Sequence, residues 1–458
     1  MDDEKTLVIS TLLADGKFSA LHSQLCEMNS VDIAQEMEML ETNDLLRVFR
    51  LLPKDASADV FSYLDSDSQE RLVNSITDKE LEILVDDMYI DDTVDFLEEV
   101  PANVVRRVLQ HADPQTRDLI NRFLRYPDYS AGSIMTSEMV ELHDYYTAQQ
   151  AIEHIRKTGI DKETLYTCYC IDHKRKLVGS VPLRRLLLCQ DDVLVSDIMF
   201  DEDQLIFVRT TDDQEHVAEI ARKYDLLSVP VVDNEQRLVG IITIDDIVDV
   251  IEEENTEDFE KMALLLPSES EYLKTGVFKL AKNRIVWLLI LMISATFTGI
   301  IIENFQDKLA LIAGLTASIP MLMDTGGNAG NQVSTLVIRG LALGEIKIKD
   351  YFKVLFKEIR VALICGVTLA VINFARMMII RYVSGGDTST NVFFVVCLSM
   401  LCAVIVAKCI GCSLPILAKL LKLDPALMAG PMITTMVDAI TLLIYFGFAN
   451  VFIVQHFS

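Results

Sequence analysis

The sequence predicts a multidomain membrane protein: an α-helical, solenoid-like N-terminal part, an α/β tandem repeat, and an α-helical part with five membrane spans. Three observations lead there. Charge is split unevenly along the chain, long apolar runs are confined to its C-terminal part, and one strand–helix pattern occurs twice in between.

The split in charge sets the broad division. The 458 residues suffice for two or three domains, and the formal charge of −27 averages over two different molecules. From Arg284 to Ser458 there are 13 Lys+Arg and 9 Asp+Glu, a net of +4. The totals of 41 basic and 68 acidic residues leave 28 and 59 for 1–283, a net of −31. Such an acidic part repels nucleic acid and attracts cations, so no nucleic-acid partner is expected. The nine cysteines form no disulfide or zinc-finger framework; Cys168 with Cys170 and Cys409 with Cys412 read as packing residues. The polar, acidic start of the chain has no signal-peptide pattern, which places the N-terminal half in the cytoplasm.

Residues 1–130 read as short amphipathic helices, with Leu-x-x-Leu and Val-x-x-Leu spacings and prolines opening turns at Pro53 and Pro101. The period runs through Leu81–Val100, and a right-angled stack of helices is the expected form. Residues 131–250 switch to alternating strands and helices and contain a repeat. Leu177-Val178-Gly179-Ser180-Val181 parallels Leu238-Val239-Gly240-Ile241-Ile242, and Ser133-Ile134-Met135 parallels Asp197-Ile198-Met199. Residues 251–283 are expected to form an acidic connecting helix, because carboxylates are dense from Asp245 to Glu271. A solvated face is the ordinary reading of such a run. Its position before the first span instead suggests repulsion that hard divalent cations relieve.

A bilayer core of about 30 Å needs about 20 apolar helical residues. Ile285–Ile302, Leu309–Ile338, Val361–Ile380, Val392–Leu417 and Pro425–Gln455 meet that need, giving five candidate spans within 284–458. Lys347, Lys349, Lys353, Lys357 and Arg360 occupy one connection, and Lys419 and Lys422 another. The opposite connections, Glu303–Lys308 and Ser384–Asn391, are short or polar. Basic loops stay inside, so the N-terminus is predicted to be cytoplasmic and the C-terminus outside.

Two motifs carry ion chemistry. Pro320–Gln332 in the second span holds Asp324, Asn328, Asn331 and Gln332 with Gly326, Gly327 and Gly330. Irregular backbone and polar groups at membrane depth must face protein or water, which predicts a water-lined path; close packing is the other use of such glycines. Asp438 in the last span, beside Pro431, Thr434 and Thr435, marks a functional site unless it pairs with Arg376 or Lys408. One carboxylate per subunit suits a divalent cation that keeps much of its water.

The order of these parts resembles the MgtE magnesium transport family across essentially the whole chain. The resemblance rests on Pro320-x-x-x-Asp324-x-Gly326-Gly327-Asn328-x-Gly330-x-Gln332 and on Asp438. The repeat likewise looks like a pair of CBS modules, whose Gly-h-h-Thr-x-x-Asp pattern appears as Gly240, Thr243 and Asp246. It implies an adenine nucleotide such as ATP there; the first copy carries Arg185 where the Asp would stand. The family resemblance implies a homodimer in the bacterial inner membrane with a pore on its two-fold axis. Asp438 would be the central pore ligand, with Asn331, Asp324, Asn328 and Gly330 along the path. It further implies that Mg2+ is both cargo and regulator. Plentiful intracellular Mg2+ would bridge the modules and hold the connecting helix as a plug. The matching carboxylates are Asp59, Asp91 and Asp95 in the N domain, Glu215, Asp225, Asp246 and Asp249 at the CBS pair, and Glu254 and Glu257 on the plug.

Two other readings remain at this stage. Asp324, Asp438 and Arg376 suit a carrier coupled to Na+ or H+, and the spans could merely anchor a CBS nucleotide sensor. A membrane-embedded enzyme is not expected, since the spans contain no histidine apart from His456 and no HExxH pattern occurs.

Overall fold

The computed structural model describes residues 8–201, 203–267, 272–273, 275–310, 313–384 and 389–454. The polar connection 385–388, the end of the fifth expected span at Gln455, and His456 lie outside them. The chain divides into two compact units, 1–252 and 253–458.

The first unit opens with α1 (Val8–Ala14), α2 (Phe18–Leu25), α3 (Ser30–Glu38), α4 (Thr42–Phe49) and α5 (Ser57–Ser62). It continues with α6 (Ser66–Ser75), α7 (Asp78–Asp87), α8 (Ile90–Glu99), α9 (Ala102–His111) and α10 (Pro114–Phe123). Most of the packing is between helices two places apart, α3 on α5, α4 on α6, α7 on α9 and α8 on α10, which is the solenoid-like stack, while α1 packs most on α2. Side-chain caps start several of them. Asp65 accepts from the Ser68 amide, Thr77 and Glu80 form a capping box, and Asp113 caps a helix whose first residue is Pro114. The apolar period through Leu81–Val100 does not make one helix, because Met88 and Tyr89 are extended between α7 and α8. That break makes Asp91 and Asp92 first-turn residues of α8.

The repeat follows: β1 (Glu141–His143), α11 (Ala148–Thr158), β2 (Thr167–Ile171), β3 (Leu177–Pro182), α12 (Leu183–Leu188) and α13 (Val195–Ile198). Its second copy is β4 (Val208–Arg209), α14 (Gln214–Tyr224), β5 (Ser228–Val232), β6 (Leu238–Thr243) and α15 (Ile244–Met262). Both sheets have a parallel first pair and an antiparallel second pair, with Cys170 opposite Gly179 and Val231 opposite Gly240. The leaders are exchanged between copies. A Cβ on Gly179 would meet Met199 of the second leader at 2.6 Å, and one on Gly240 would meet Thr136 O at 2.6 Å beside Met135 of the first. Tyr169 Oη, buried, sits 2.7 Å from Ser228 Oγ and joins the two sheets. The connecting helix, expected over 251–283, instead runs over Ile244–Met262; residues 277–283 already belong to the next long helix, and 268–271 and 274 lie outside the described residues. Asp246 accepts from Thr243 Oγ1 at 2.7 Å and from its amide at 3.3 Å, so the helix starts as the strand ends.

The second unit contains α16 (Val277–Ala310), α17 (Ala313–Thr316), α18 (Ile319–Ala342), α19 (Tyr351–Ser384), α20 (Thr390–Leu420) and α21 (Pro431–Ala449). Among the described residues, four helical segments are long and apolar enough to cross a membrane: Val277–Phe305, Ile348–Val383, Thr390–Leu420 and Pro425–Phe452. The fifth long helix, α18, has its hydropathy diluted by Asp324 and its amides, and packs between α20 and α21. Two expectations are corrected. Glu303–Lys308 is not a loop but part of α16, and the second span starts at Ile319 after the short α17 rather than at Leu309. The glycine-rich motif is also regular helix, so its glycines serve close packing.

Candidate functional site

In the first unit three carboxylates from three elements converge. Asp91 of α8, Glu163 of the turn before β2 and Asp246 of α15 each place an oxygen within 4.8 Å of the others. Asp91 is buried, and Glu163 Oε2 is buried without a hydrogen-bond partner. Burial, then the charges of Glu163 and Asp246, raises the Asp91 carboxyl well above its ordinary value. Glu163 is pushed up to about 7 by burial and then by Asp246. Asp246 is pushed up to about 6 by burial, against the lowering effect of Thr243. Half-buried Asp92 rises to about 6 through burial and the charges of Asp246 and Asp59. Among the described residues no cationic side chain neutralises these desolvated like charges, and such a set of hard oxygens favours a divalent metal.

The other expected regulatory residues spread outward. Asp95, one turn beyond Asp91 and reaching solvent, is raised to about 7 by desolvation and the charge of Asp246. Asp249 is exposed, and Asp59 is exposed but close enough for its charge to act on Asp92. Glu215 and Asp225 do not share a site. They stand in the first turn and at the left-handed C-cap (φ 52°) of the same helix, α14, about 15 Å apart along its axis. In the second unit Glu257 pairs with Lys261 at 2.8 Å, and Lys261 also holds Asp424 at 2.8 Å; Glu254 lies one turn earlier on α15. Glu163 was missing from the sequence reading. A lone acid in a turn carries no periodic signal, and only the fold carries it to Asp91. At the second CBS copy, Gly240 is filled by the first leader and Thr243 is bonded to Asp246, which faces the carboxylate cluster.

The membrane unit brings the other motif together. Asp324 and Asn328 share an exposed face of α18, where Asn328 Nδ2 donates to Asp324 Oδ1 at 3.1 Å. Asp438 of α21 lies within electrostatic reach of Asp324, and its Oδ1 is buried with no hydrogen-bond partner. Neither candidate cation neutralises it. Lys408 sits 3.6 Å from Glu358, while Arg376 donates to Asn373 Oδ1 and lies against Met321. Asn331 Oδ1 accepts from the Gly430 amide at 3.0 Å, fixing α18 to the start of α21. Beside it opens a cavity of about 640 Å³ with Leu288 and Met292 on one wall and Asn331, Thr434 and Thr435 on the other. Gly330 stands at a close helix crossing. It is buried, its own Cβ would meet Ile433 at 2.9 Å, and a Cβ on Gly411 would strike its carbonyl at 2.3 Å.

A family profile described as a divalent cation transporter, MgtE, matches residues 319–448, and the MgtE intracellular N domain profile matches 28–129. The CBS profile matches 195–253; the first copy of the repeat shares its topology instead. The magnesium transporter MgtE of Thermus thermophilus is 32% identical over 454 residues, covering 98% of this chain and 99% of the relative. The chain belongs to the MgtE family of magnesium transporters. A second MgtE relative, from Bacillus subtilis, is 31% identical with 98% of each chain covered. The solved soluble part of a magnesium transporter is 29% identical at a TM-score of 0.51, covering 55% of this chain and 98% of its own. A cytosolic domain of the Mg2+ channel MgtE in complex with ATP is 32% identical at a TM-score of 0.51, covering 54% and 99%. MgtE proteins are transporters rather than enzymes, and this member is a multi-pass membrane protein.

Proposed function

We propose that this chain forms a magnesium-selective channel, closed when cytoplasmic Mg2+ occupies the Asp91–Glu163–Asp246 cluster. The observation that carries the reading is the convergence of three carboxylates around a buried, unpartnered Glu163 oxygen. Without a cation these charges repel across a partly dry gap, and the arrangement in which they meet is disfavoured. Mg2+ bound there stabilises that arrangement through differential affinity, and loss of Mg2+ releases it. The start of α15 supplies Asp246, so the helix senses the metal directly. Its last turn is tied by Lys261 to Asp424, close ahead of α21, which carries Asp438.

In the path, Asp438 is the carboxylate that the hydrated ion meets, with Asp324 and Asn328 beside it and Asn331 facing the cavity. A homodimer supplies two such carboxylates on one axis, matching an ion held largely through its own water. The N-terminus is cytoplasmic, in keeping with the basic α18–α19 connection. The ATP complex of a relative supports an adenine nucleotide at the CBS pair. Asp246 belongs to the metal cluster here, so nucleotide binding leans on the other residues of the second copy.

Mg2+ uptake into proteoliposomes tests both halves. Asp438→Ala abolishes flux at low cytoplasmic-side Mg2+, whereas Asp91→Asn, Glu163→Gln and Asp246→Asn leave flux intact but no longer shut by high Mg2+. Equal flux in wild type and Asp438→Ala removes that residue from the path. Unchanged closure in the triple variant removes the cluster from gating. Single-channel currents separate a channel from a Na+- or H+-coupled carrier.

A further inference from the structure

The helix α19 presents two different faces. Toward α20 it places Tyr351, Glu358, Ala362 and Gly366, seven, eleven and fifteen residues on, along one side; Tyr351 bonds Ser413 and Glu358 meets Lys408. Among the described residues of the unit, the opposite side has no packing partner. It begins with Phe352, 77% exposed, Lys353, Phe356, 62% exposed, Lys357 and Arg360. Past Arg360 the same stripe carries no charge and is mainly apolar, with Leu363, Ile364, Val367 and Val371 exposed and the Thr368 hydroxyl donated to Ile364 O.

That order of side chains marks where the helix passes from water into hydrocarbon. The apolar part is the lipid-facing surface of a span, and the basic part sits at headgroup depth. Three cations follow one another at i, i+4 and i+7. The one acid in this stretch of the helix, Glu358, is turned inward to Lys408. Among the described residues neither Lys357 nor Arg360 makes an ion pair, and Lys353 meets only Asp350, at the helix start. The Arg360 guanidinium lies 5.1 Å from the centre of the Phe356 ring, which holds it along the face. Phe352 and Phe356 supply apolar ring surface beside these cations, suited to the acyl side of the headgroup boundary.

We propose that Lys353, Lys357 and Arg360, with Phe352 and Phe356, bind the headgroups of anionic phospholipids in the leaflet where α19 begins. Charge complementarity selects an anionic headgroup over a zwitterionic one, and continuity with the apolar stripe selects a lipid over free phosphate. The site is independent of Mg2+ binding, so it stands or falls separately from the gating reading.

The test uses the full chain in detergent, titrated with phosphatidylglycerol, with phosphatidylcholine, or with inorganic phosphate, and reads the thermal unfolding midpoint without Mg2+. Phosphatidylglycerol raises the midpoint of the wild type, and the other two do not. In K353Q/K357Q/R360Q the lipid concentration giving half the shift rises on the order of 100-fold, and each single change gives about five-fold. The charge-matched K79Q/K157Q/K174Q variant, at exposed lysines of the first unit, behaves as wild type. The proposal is overturned if the triple α19 variant keeps the wild-type lipid response, if phosphatidylcholine or phosphate reproduces it, or if both triple variants lose it equally. It is also overturned if the α19 variant changes the oligomeric state while keeping the lipid response, which would give this face to a second copy.

Discussion

At the scale of single residues, the acidic cluster holds its carboxyls protonated more readily than free side chains do. Asp92 and Asp246 are raised to about 6, and Glu163 to about 7, chiefly by burial. A carboxyl raised in the folded state binds more protons than in the unfolded chain between the two values. Its stabilising contribution is therefore complete at low pH and lost as pH rises through the folded value. Metal-free protein is accordingly expected to lose stability from pH 5 to pH 7.5, with Tm falling by a few degrees. Saturating Mg2+ should remove most of that slope, because the ion replaces the protons. Asp91→Asn removes one buried carboxyl from beside Glu163 and Asp246 and should raise metal-free stability at pH 7.5, by about 1 kcal/mol, while weakening the Mg2+ response. A thermal melt series across pH, with and without Mg2+, checks both; a slope that Mg2+ leaves unchanged would detach these groups from metal binding. Asp91 and Asp246 were legible in the sequence because the family pattern marks them. Glu163 was not, since its contribution depends on a turn that brings residue 163 beside residues 91 and 246.

At the scale of elements, the presence of the long apolar helices and the tandem repeat was legible from hydropathy and self-similarity, whereas helix bounds, breaks and crossings were not. The apolar period through Leu81–Val100 gave no sign of the extended pair Met88–Tyr89, because a break between two amphipathic helices in register leaves the period intact. The glycines of α18 were read as lining because composition alone does not tell a crossing from a path. Their partners decide it: Gly327 packs on Thr434, and Gly330 meets Gly411 backbone to backbone. Gly411→Ala is therefore expected to destabilise the membrane unit by about 1–3 kcal/mol, since the obstructing atom is a carbonyl that cannot swing away. Gly447→Ala, with open space around it, is the matched control. Lys261 tests a different contact. Lys261→Asp opposes Asp424 and should loosen closure by Mg2+, and Lys261→Asp with Asp424→Lys should recover part of it. Flux assays at high Mg2+ read the recovery; no change in either variant would make the pair a surface contact without influence on the gate.

For the whole molecule, the contrast between −31 over 1–283 and +4 over 284–458 separates two effects of added salt. Any cation screens the long-range repulsion of the acidic part, and at 0.15 M ionic strength interactions beyond about 8 Å are already weak. Only a divalent ion of the right size gains from the Asp91, Glu163 and Asp246 oxygens, which lie within 4.8 Å and are screened little by bulk salt. At fixed ionic strength, replacing NaCl with MgCl2 should thus stabilise the full chain and saturate as a site fills. The expected gain is about 2.7 kcal/mol at a hundred times the dissociation constant. Hydrogen exchange should slow most in α8, in the turn holding Glu163 and in the first turns of α15. The triple variant D91N/E163Q/D246N should keep the response to NaCl and lose the excess response to MgCl2. Retention of that excess, or protection spread evenly over the acidic unit, would mean that Mg2+ acts as a diffuse counterion. The acidic composition would then suffice to explain its effect without any built site.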